Sequence, residues 1–294
     1  MANVIESLYF VHMITIDVAK HELREKLVKI YDAREAATIT TMFLHHITKL
    51  SATEMLVYSQ KVLSHVEFLQ YSVGVEKLCQ SMPIQQVIGF AWFDNEKYVV
   101  NKDVLIPRPE TEELLQWIKE EVKNANNIID VGTGSGILAL SLKKHFKTAI
   151  VHAVDVSQYA LFIAKQNAVA KARVINWHLL DFLDTSTWVN LPSCNILVSN
   201  PPYIKHTEKA TMMNNVLQFE PHEALFVGDN DALIFYRALA NFALQKLESS
   251  GFVFVEINES LGKETCQLFN QLGFETVLKK DLQGKDRMIK AWKN

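Results

Sequence analysis

The residues best suited to chemistry are Asn200-Pro201-Pro202-Tyr203, which follow the apolar run Ile196-Leu197-Val198-Ser199. Asn-Pro favours a turn and two consecutive prolines end regular structure, so the tetrapeptide leaves the carboxyl end of a strand as a stiff loop. A plain strand and turn explains the prolines but not the Asn and Tyr that bracket them. A planar group bearing an NH2 needs acceptors in its plane and an aromatic surface above it. The Asn200 side-chain carbonyl and the Pro201 main-chain carbonyl are such acceptors, and Tyr203 is such a surface. Hydrogen bonds to both N–H groups favour a more tetrahedral, more nucleophilic nitrogen. The prolines hold the acceptors ready, and orientation of this kind removes on the order of 7–11 kcal/mol of barrier in favourable systems. Asn200, Pro201, Pro202 and Tyr203 are therefore the expected catalytic and acceptor-binding residues. The motif fixes the type of acceptor nitrogen and leaves open whether it belongs to a carboxamide or to the exocyclic amine of adenine or cytosine.

A second constellation is Asp130-Val131-Gly132-Thr133-Gly134-Ser135-Gly136, between an apolar strand and a helix-like run over 137–146. Glycines let the backbone turn tightly and approach a ligand with no Cβ in the way, and the helix behind them presents free N–H groups. The dinucleotide pattern Gly-x-Gly-x-x-Gly fails here, because the third glycine arrives one residue early and Ile137 takes its slot. Asp130 sets a carboxylate where a pyrophosphate would be repelled and an ammonium attracted. S-adenosylmethionine carries that ammonium and no phosphate. Downstream, Asp155 ends a second strand where it suits a ribose diol, and Asp181 with Phe182 follows a third, suiting an adenine amino group and ring. Each Asp taken alone is also a fitting helix cap, as Asp155 is for a helix from Ser157. The expected cofactor contacts are Asp130, Gly132, Thr133, Gly134, Ser135, Gly136, Asp155, Asp181, Phe182 and Asn200.

The elements that must hold these loops can be read from periodicity. After Pro107-Arg108-Pro109 the pattern alternates strand and helix, which calls for a largely parallel sheet covered on both faces. Seven strands are predicted, at 128–131, 149–154, 174–179, 196–199, 252–257, 275–278 and 288–292. The link between the last two is too short for a helical crossover, so they form an antiparallel hairpin at the end of the sheet. The predicted fold class is α/β: a Rossmann-like, seven-stranded, mostly parallel sheet with an antiparallel last strand, the class I methyltransferase layout. Residues 16–80 hold one glycine, Gly74, and no proline. Leu23, Leu27, Ile30 and Tyr31 recur there at helical spacing, and Ser51 with Glu54 has the form of a capping box. The expected organisation is a helical domain over 1–82 that docks substrate, a β-hairpin linker over 83–106 around Asp94-Asn95-Glu96, and a catalytic domain over 107–294.

Composition narrows the class. The chain has 294 residues, 49% hydrophobic and 21% charged, which points to a globular protein with a substantial core. No run is long and apolar enough for a membrane span. The first sixteen residues lack the basic start of a secretory signal, so a cytoplasmic location is expected. Cys79, Cys194 and Cys266 are expected to be buried, reduced thiols, and the histidines carry no metal-ligand spacing. A net charge of −3 does not favour binding to a phosphate backbone.

At this point the chain resembles the bacterial peptide chain release factor N5-glutamine methyltransferases of the HemK/PrmC family. Beside the two motifs above, the resemblance rests on Pro83-Ile84-Gln85 with Ile88-Gly89, on Val104-Leu105-Ile106-Pro107-Arg108-Pro109-Glu110-Thr111-Glu112, on Glu220-Pro221-His222-Glu223-Ala224-Leu225 with Gly228 and Tyr236-Arg237, and on Asp286-Arg287-Met288. Gln86 and Val87 depart from the family's usual residues, and those before Met13 are read as an extension. The resemblance implies that the substrate is the glutamine of the Gly-Gly-Gln loop of class I release factors. It also implies that the helical domain helps to dock that partner. For Arg108 and Glu110 an interdomain salt bridge stands beside a direct role near the ligands, and for Glu220 a bracing role. Two rivals remain: a methyltransferase acting on a ribosomal-protein glutamine or a nucleic-acid amine, and a non-catalytic partner-binding protein that keeps the fold. Intact glycine and NPPY motifs speak against the second.

Overall fold

The computed structural model describes residues 14–212 and 214–293, which fall into two compact units divided between Gly89 and Phe90. The segment before Met13 lies outside the described residues.

The first unit is helical: α1 Ile16–Leu27, α2 Ala33–Thr48, α3 Ala52–Val57, α4 His65–Cys79 and α5 Ile84–Ile88. Thr15, Asp32, Ser51 and Ser64 each cap the N-terminus of one of the first four, and both serines form full capping boxes, with Glu54 and Glu67. Leu23, Leu27, Leu44 and Leu78 are completely buried. The lone glycine has a packing reason. A Cβ on Gly74 would meet the Phe43 ring at 2.0 Å, so α4 closes on α2 only because none is there. Tyr71 donates to the Ala19 carbonyl at 2.9 Å, tying α4 to α1.

Three expectations need correction here. The helix through Leu23 stops at Leu27 and leaves Ile30 exposed. Cys79 is exposed and Cys266 partly so, and only Cys194 is a buried thiol. Residues 84–88, expected within the β-hairpin linker of 83–106, are a short helix that Pro83 opens and Gly89, at φ 80°, closes. The hairpin itself is β1 Phe90–Phe93 and β2 Glu96–Val99, turned by Asp94 and Asn95, both at positive φ as a two-residue turn of this kind demands. It packs in the second unit: Asn167 accepts from the Val99 N–H at 2.7 Å, and Arg173 pairs with Glu96 at 2.8 Å.

The second unit contains the predicted sheet. Its strands are β3 Asn127–Val131, β4 Ile150–Asp155, β5 Asn176–Leu179, β6 Cys194–Ser199, β9 Leu247–Glu256, β10 Glu275–Lys280 and β11 Asp286–Trp292, in the order β10-β11-β9-β6-β3-β4-β5. Only β11 runs antiparallel, inserted between β9 and the edge strand β10. Alternate residues serve the two faces. Ile128, Ile196, Val198 and Phe254 pack with α6 Pro109–Glu121 and α7 Ile137–His145. Ile129, Leu197, Val253 and Val255 pack with α10 Ile234–Lys246 and α11 Gly262–Gln271. Both faces are covered, which explains why β3, β6 and β9 read as nearly continuous apolar runs. The connections hold α8 Gln158–Ala170, α9 Asn214–Phe219, the two-residue strands β7 Ile204–Lys205 and β8 Phe226–Val227, and the short 3-10 helices Thr185–Asn190, His206–Thr211 and His222–Ala224.

The chain reverses its direction across the sheet at β3: β4 and β5 lie on one side of it, β6 and β9 on the other. Ligands of such sheets bind outside the carboxyl ends of the strands at this switch point. Val131 is in register with both Val154 and Ser199, and Ser199 with Val255. Gly132, Asp155, Asn200 and Glu256 therefore emerge side by side, each one residue beyond that row.

Candidate active site

A cleft opens above this row, walled by Gly132, Gly134, Asp155, Leu180, Asp181, Phe182, Asn200, Pro201 and Pro202, with Val104 and Leu105 from the segment before α6. Six of the expected cofactor contacts thus meet there: Gly132, Gly134, Asp155, Asp181, Phe182 and Asn200. Gly132, Gly134 and Gly136 all have positive φ, at 71°, 56° and 78°, so side chains at these positions would strain the loop. Space separates their roles. A Cβ on Gly134 would meet nothing within 4 Å, whereas one on Gly136 would come within 2.9 Å of the Ala164 Cβ. Gly134 faces the opening; Gly136 lets the first turn of α7 pack against α8.

Asp155 holds the loop and the next helix together. Its Oδ2 accepts from the Gly134 N–H at 2.8 Å and its Oδ1 from the Ser157 N–H at 2.9 Å. Ser157, not Asp155, caps α8, accepting from the Ala160 N–H. The carboxylate also takes a backbone N–H from Val156 and still keeps a lone pair for a ligand on the cleft side. Burial raises its carboxyl above the usual range. Asp181 is exposed and accepts from the Leu183 N–H at 2.9 Å. Phe182 is only 4% exposed, and its ring packs against Trp188 and Phe242. What it presents to the cleft is an edge of the core cluster.

Asp130, Thr133, Ser135 and Gly136 do not line the cleft. Asp130 is buried at the end of β3, where its Oδ2 accepts from the Thr133 hydroxyl at 2.6 Å and from the Ala139 N–H at 3.1 Å. It braces the glycine loop and faces the N-terminus of α7, where an anion is favoured. Burial nevertheless pushes its carboxyl up to about 7. The Ser135 carbonyl accepts from Asn167 at 2.9 Å, linking the loop to α8.

At the end of β6, Asn200 Nδ2 donates to Thr111 Oγ1 at 3.0 Å, and Thr111 donates to Glu256 Oε2 at 2.6 Å. Pro201 and Pro202 wall the cleft, while Tyr203 does not. Its ring packs against the core under α10, and its hydroxyl lies 3.4 Å from Glu256 Oε1. The Ser199 hydroxyl donates to the Val131 carbonyl at 2.7 Å and locks the loop exits of β3 and β6 together. Arg108 pairs with Glu220 at 2.6 Å, and Glu220 also accepts from the Ile106 N–H at 3.1 Å. Both partners lie within the second unit, so this is not an interdomain bridge. It fastens the segment that carries Val104 and Leu105 along the cleft.

The family model for the methyltransferase small domain matches residues 109–228. The release factor glutamine methyltransferase of Flavobacterium psychrophilum is 40% identical over 273 residues, covering 91% of this chain and 95% of that protein. The chain belongs to the release factor glutamine methyltransferase family. Two further members, from Bacteroides thetaiotaomicron and Streptococcus pneumoniae, are 34% and 35% identical and cover 92% and 90% of the chain. In this family member the sequence motifs located the cleft but not the support beneath it. Thr111 stands in the Pro-Arg-Pro-Glu-Thr-Glu element without a visible role. Glu256 had a signal that went unused: it is the single charged residue in the run from Phe252 to Ile257. A carboxylate on a strand buried on both faces needs a partner and therefore a reason.

Proposed function

We propose that this chain transfers a methyl group from S-adenosylmethionine to the side-chain amide nitrogen of the glutamine in the Gly-Gly-Gln loop of class I release factors. The single observation that carries the reading is the Asn200 amide, held on the cleft wall with its NH2 committed to Thr111. Its Oδ1 remains to accept, as the carboxamide of a glutamine requires.

The residues fit the cofactor. Gly132 and Gly134 leave room where a side chain would intrude, and the Asp155 carboxylate suits a ribose diol. When bound, S-adenosylmethionine supplies an electrophilic methyl on a sulfonium. Gly132, Gly134, Asp155, Asp181, Phe182 and Asn200 are the proposed contacts, while Asp130, Thr133, Ser135 and Gly136 set the shape of the loop. On the acceptor, Asn200 Oδ1 and the Pro201 carbonyl take the two N–H groups and direct the nitrogen lone pair. No strong base is needed, because the nitrogen becomes acidic once methylated. The net charge of −3 supports a protein acceptor over a nucleic acid, and an acceptor in the translation machinery implies a cytoplasmic enzyme.

Purified protein with radiolabelled S-adenosylmethionine is expected to label a release factor. Replacing the glutamine of its Gly-Gly-Gln loop by alanine is expected to abolish the label. Label on DNA, RNA or a ribosomal protein instead would overturn this assignment.

A further inference from the structure

Glu256 ends β9 almost fully buried, and nothing in the grip on an acceptor amide accounts for it. Its surroundings give it a task. Thr111 Oγ1 lies 2.6 Å from Glu256 Oε2 and 3.0 Å from Asn200 Nδ2. A hydroxyl has one proton, and an ionised carboxylate can only accept. The Thr111 proton must then go to Glu256, and Thr111 turns a lone pair toward Asn200. Only the NH2 end of the Asn200 amide fits that lone pair. An asparagine amide has two orientations of nearly identical shape, which packing does not tell apart and hydrogen bonding does.

We propose that Glu256, acting through Thr111, is a positioning residue that fixes the Asn200 amide with Oδ1 toward the acceptor. This rests on the reading that Asn200 grips an acceptor NH2. Protonated Glu256 donates to Thr111 instead, the Thr111 proton turns to Asn200, and the amide reverses. It then offers NH2 to the acceptor's N–H, donor against donor, and the grip is lost. The relay thus makes turnover depend on the ionised form of a group outside the cleft.

Other charged and titratable groups face Glu256 from each packed element. Thr111 and Glu110 come from α6, Tyr203 from the loop after β6 with its hydroxyl 3.4 Å from Oε1, and Arg287 from β11. Tyr236 on α10 donates to the Glu256 main-chain carbonyl at 3.2 Å. Burial, with Glu110 beside it, pushes the carboxyl up to about 7 against the Thr111 hydroxyl, Arg287 and the Tyr203 hydroxyl, which favour ionisation. The reversal therefore falls close to neutral pH.

The test compares wild type, Thr111→Val, Thr111→Ser and Glu256→Gln as full-length protein, reading kcat from about pH 6 to about pH 9 and the Kd for S-adenosylmethionine. Wild-type kcat is expected to rise along an acid limb near pH 7 and level off. Thr111→Val is expected to lose about 10- to 100-fold in kcat at the plateau with cofactor Kd nearly unchanged. Glu256→Gln is expected to lose the acid limb, and Thr111→Ser, which keeps the hydroxyl, to recover most of the rate lost in Thr111→Val. Wild-type turnover in Thr111→Val, an acid limb that persists in Glu256→Gln, or equal losses in turnover and cofactor affinity in Thr111→Val, would overturn the relay. Should the methyl go to an acceptor other than glutamine, the variants are measured on that acceptor. Loss of rate there in Thr111→Val keeps the relay while the glutamine reading falls, and unchanged rate sinks the relay as well.

Discussion

In the proposed reaction Asn200 is the residue on which substrate and support converge. Its amide touches the cleft on one side and Thr111 on the other, so truncation removes an acceptor without disturbing the glycine loop. Asn200→Ala is expected to lower kcat by about 100- to 1000-fold, the range for deleting one preorganised hydrogen-bonding group, with a far smaller loss of cofactor affinity. Steady-state kinetics beside equilibrium dialysis would show it; matched losses in both would make Asn200 structural. Asp155→Asn should behave in the opposite way. It weakens one hydrogen bond to the loop and one to the Ser157 N–H and removes the charge, so cofactor affinity is expected to fall about tenfold, with a smaller effect on kcat at saturation. The motif residues were legible because their types are chemically unusual at a strand end. Which of them face the ligand was not, since Asp130 and Asp155 both end strands and only the packing sends one inward and the other to the cleft wall.

Among the elements, the segment before α6 together with the first turn of that helix does the most for the site with the fewest residues. Pro109 starts the helix, Glu110 and Glu112 suit its positive end, and Thr111 reaches under Asn200. Arg108 and Glu220 bind this segment to the residues after α9. Glu220 is 4% exposed, so Arg108→Ala leaves a buried carboxylate without its cation. A loss of about 2 kcal/mol is expected in urea unfolding, discounted because the guanidinium is partly exposed. Arg108→Ala as stable as wild type would show that the pair contributes nothing. The glycines of the loop separate in the same way. Gly136→Ala meets both a positive φ and the Ala164 Cβ, and is expected to destabilise the fold by about 1–3 kcal/mol. Gly134→Ala strains the loop without a clash and is expected to act more on cofactor affinity. The seven strands were readable because apolar runs on a sheet buried on both faces are hard to mistake. The short helix Ile84–Ile88 was not, because five residues offer too little periodicity to separate a turn of helix from a strand.

At the scale of the molecule, two fully buried carboxyls give the fold an unusual pH response. Asp130 and Glu256 both titrate at about 7 when folded, well above their ordinary values. Between those ordinary values and about 7 the folded state holds protons that the unfolded state has released, so stability falls as pH rises through that window and levels off above it. Each group contributes on the order of 3 kcal/mol to the fall. Urea midpoints are expected to be higher near pH 5 than near pH 8, and Glu256→Gln should reduce the difference while raising stability near pH 8. A midpoint that climbs with pH, or a Glu256→Gln protein less stable than wild type near pH 8, would contradict this. The same substitution is expected to remove the acid limb of turnover, so stability and the pH dependence of activity are set at one residue. In the linear chain only the lone charge of Glu256 in an apolar run pointed to this, because the burial of a particular side chain is a property of the assembled sheet.

Tandem mass spectrometry of a release factor after reaction tests the central claim most directly. The expected spectrum carries one added methyl, confined to the side chain of the glutamine in the Gly-Gly-Gln loop and absent with Asn200→Ala. A methyl on any other residue, or an unmodified release factor beside a methylated nucleic acid, would contradict it.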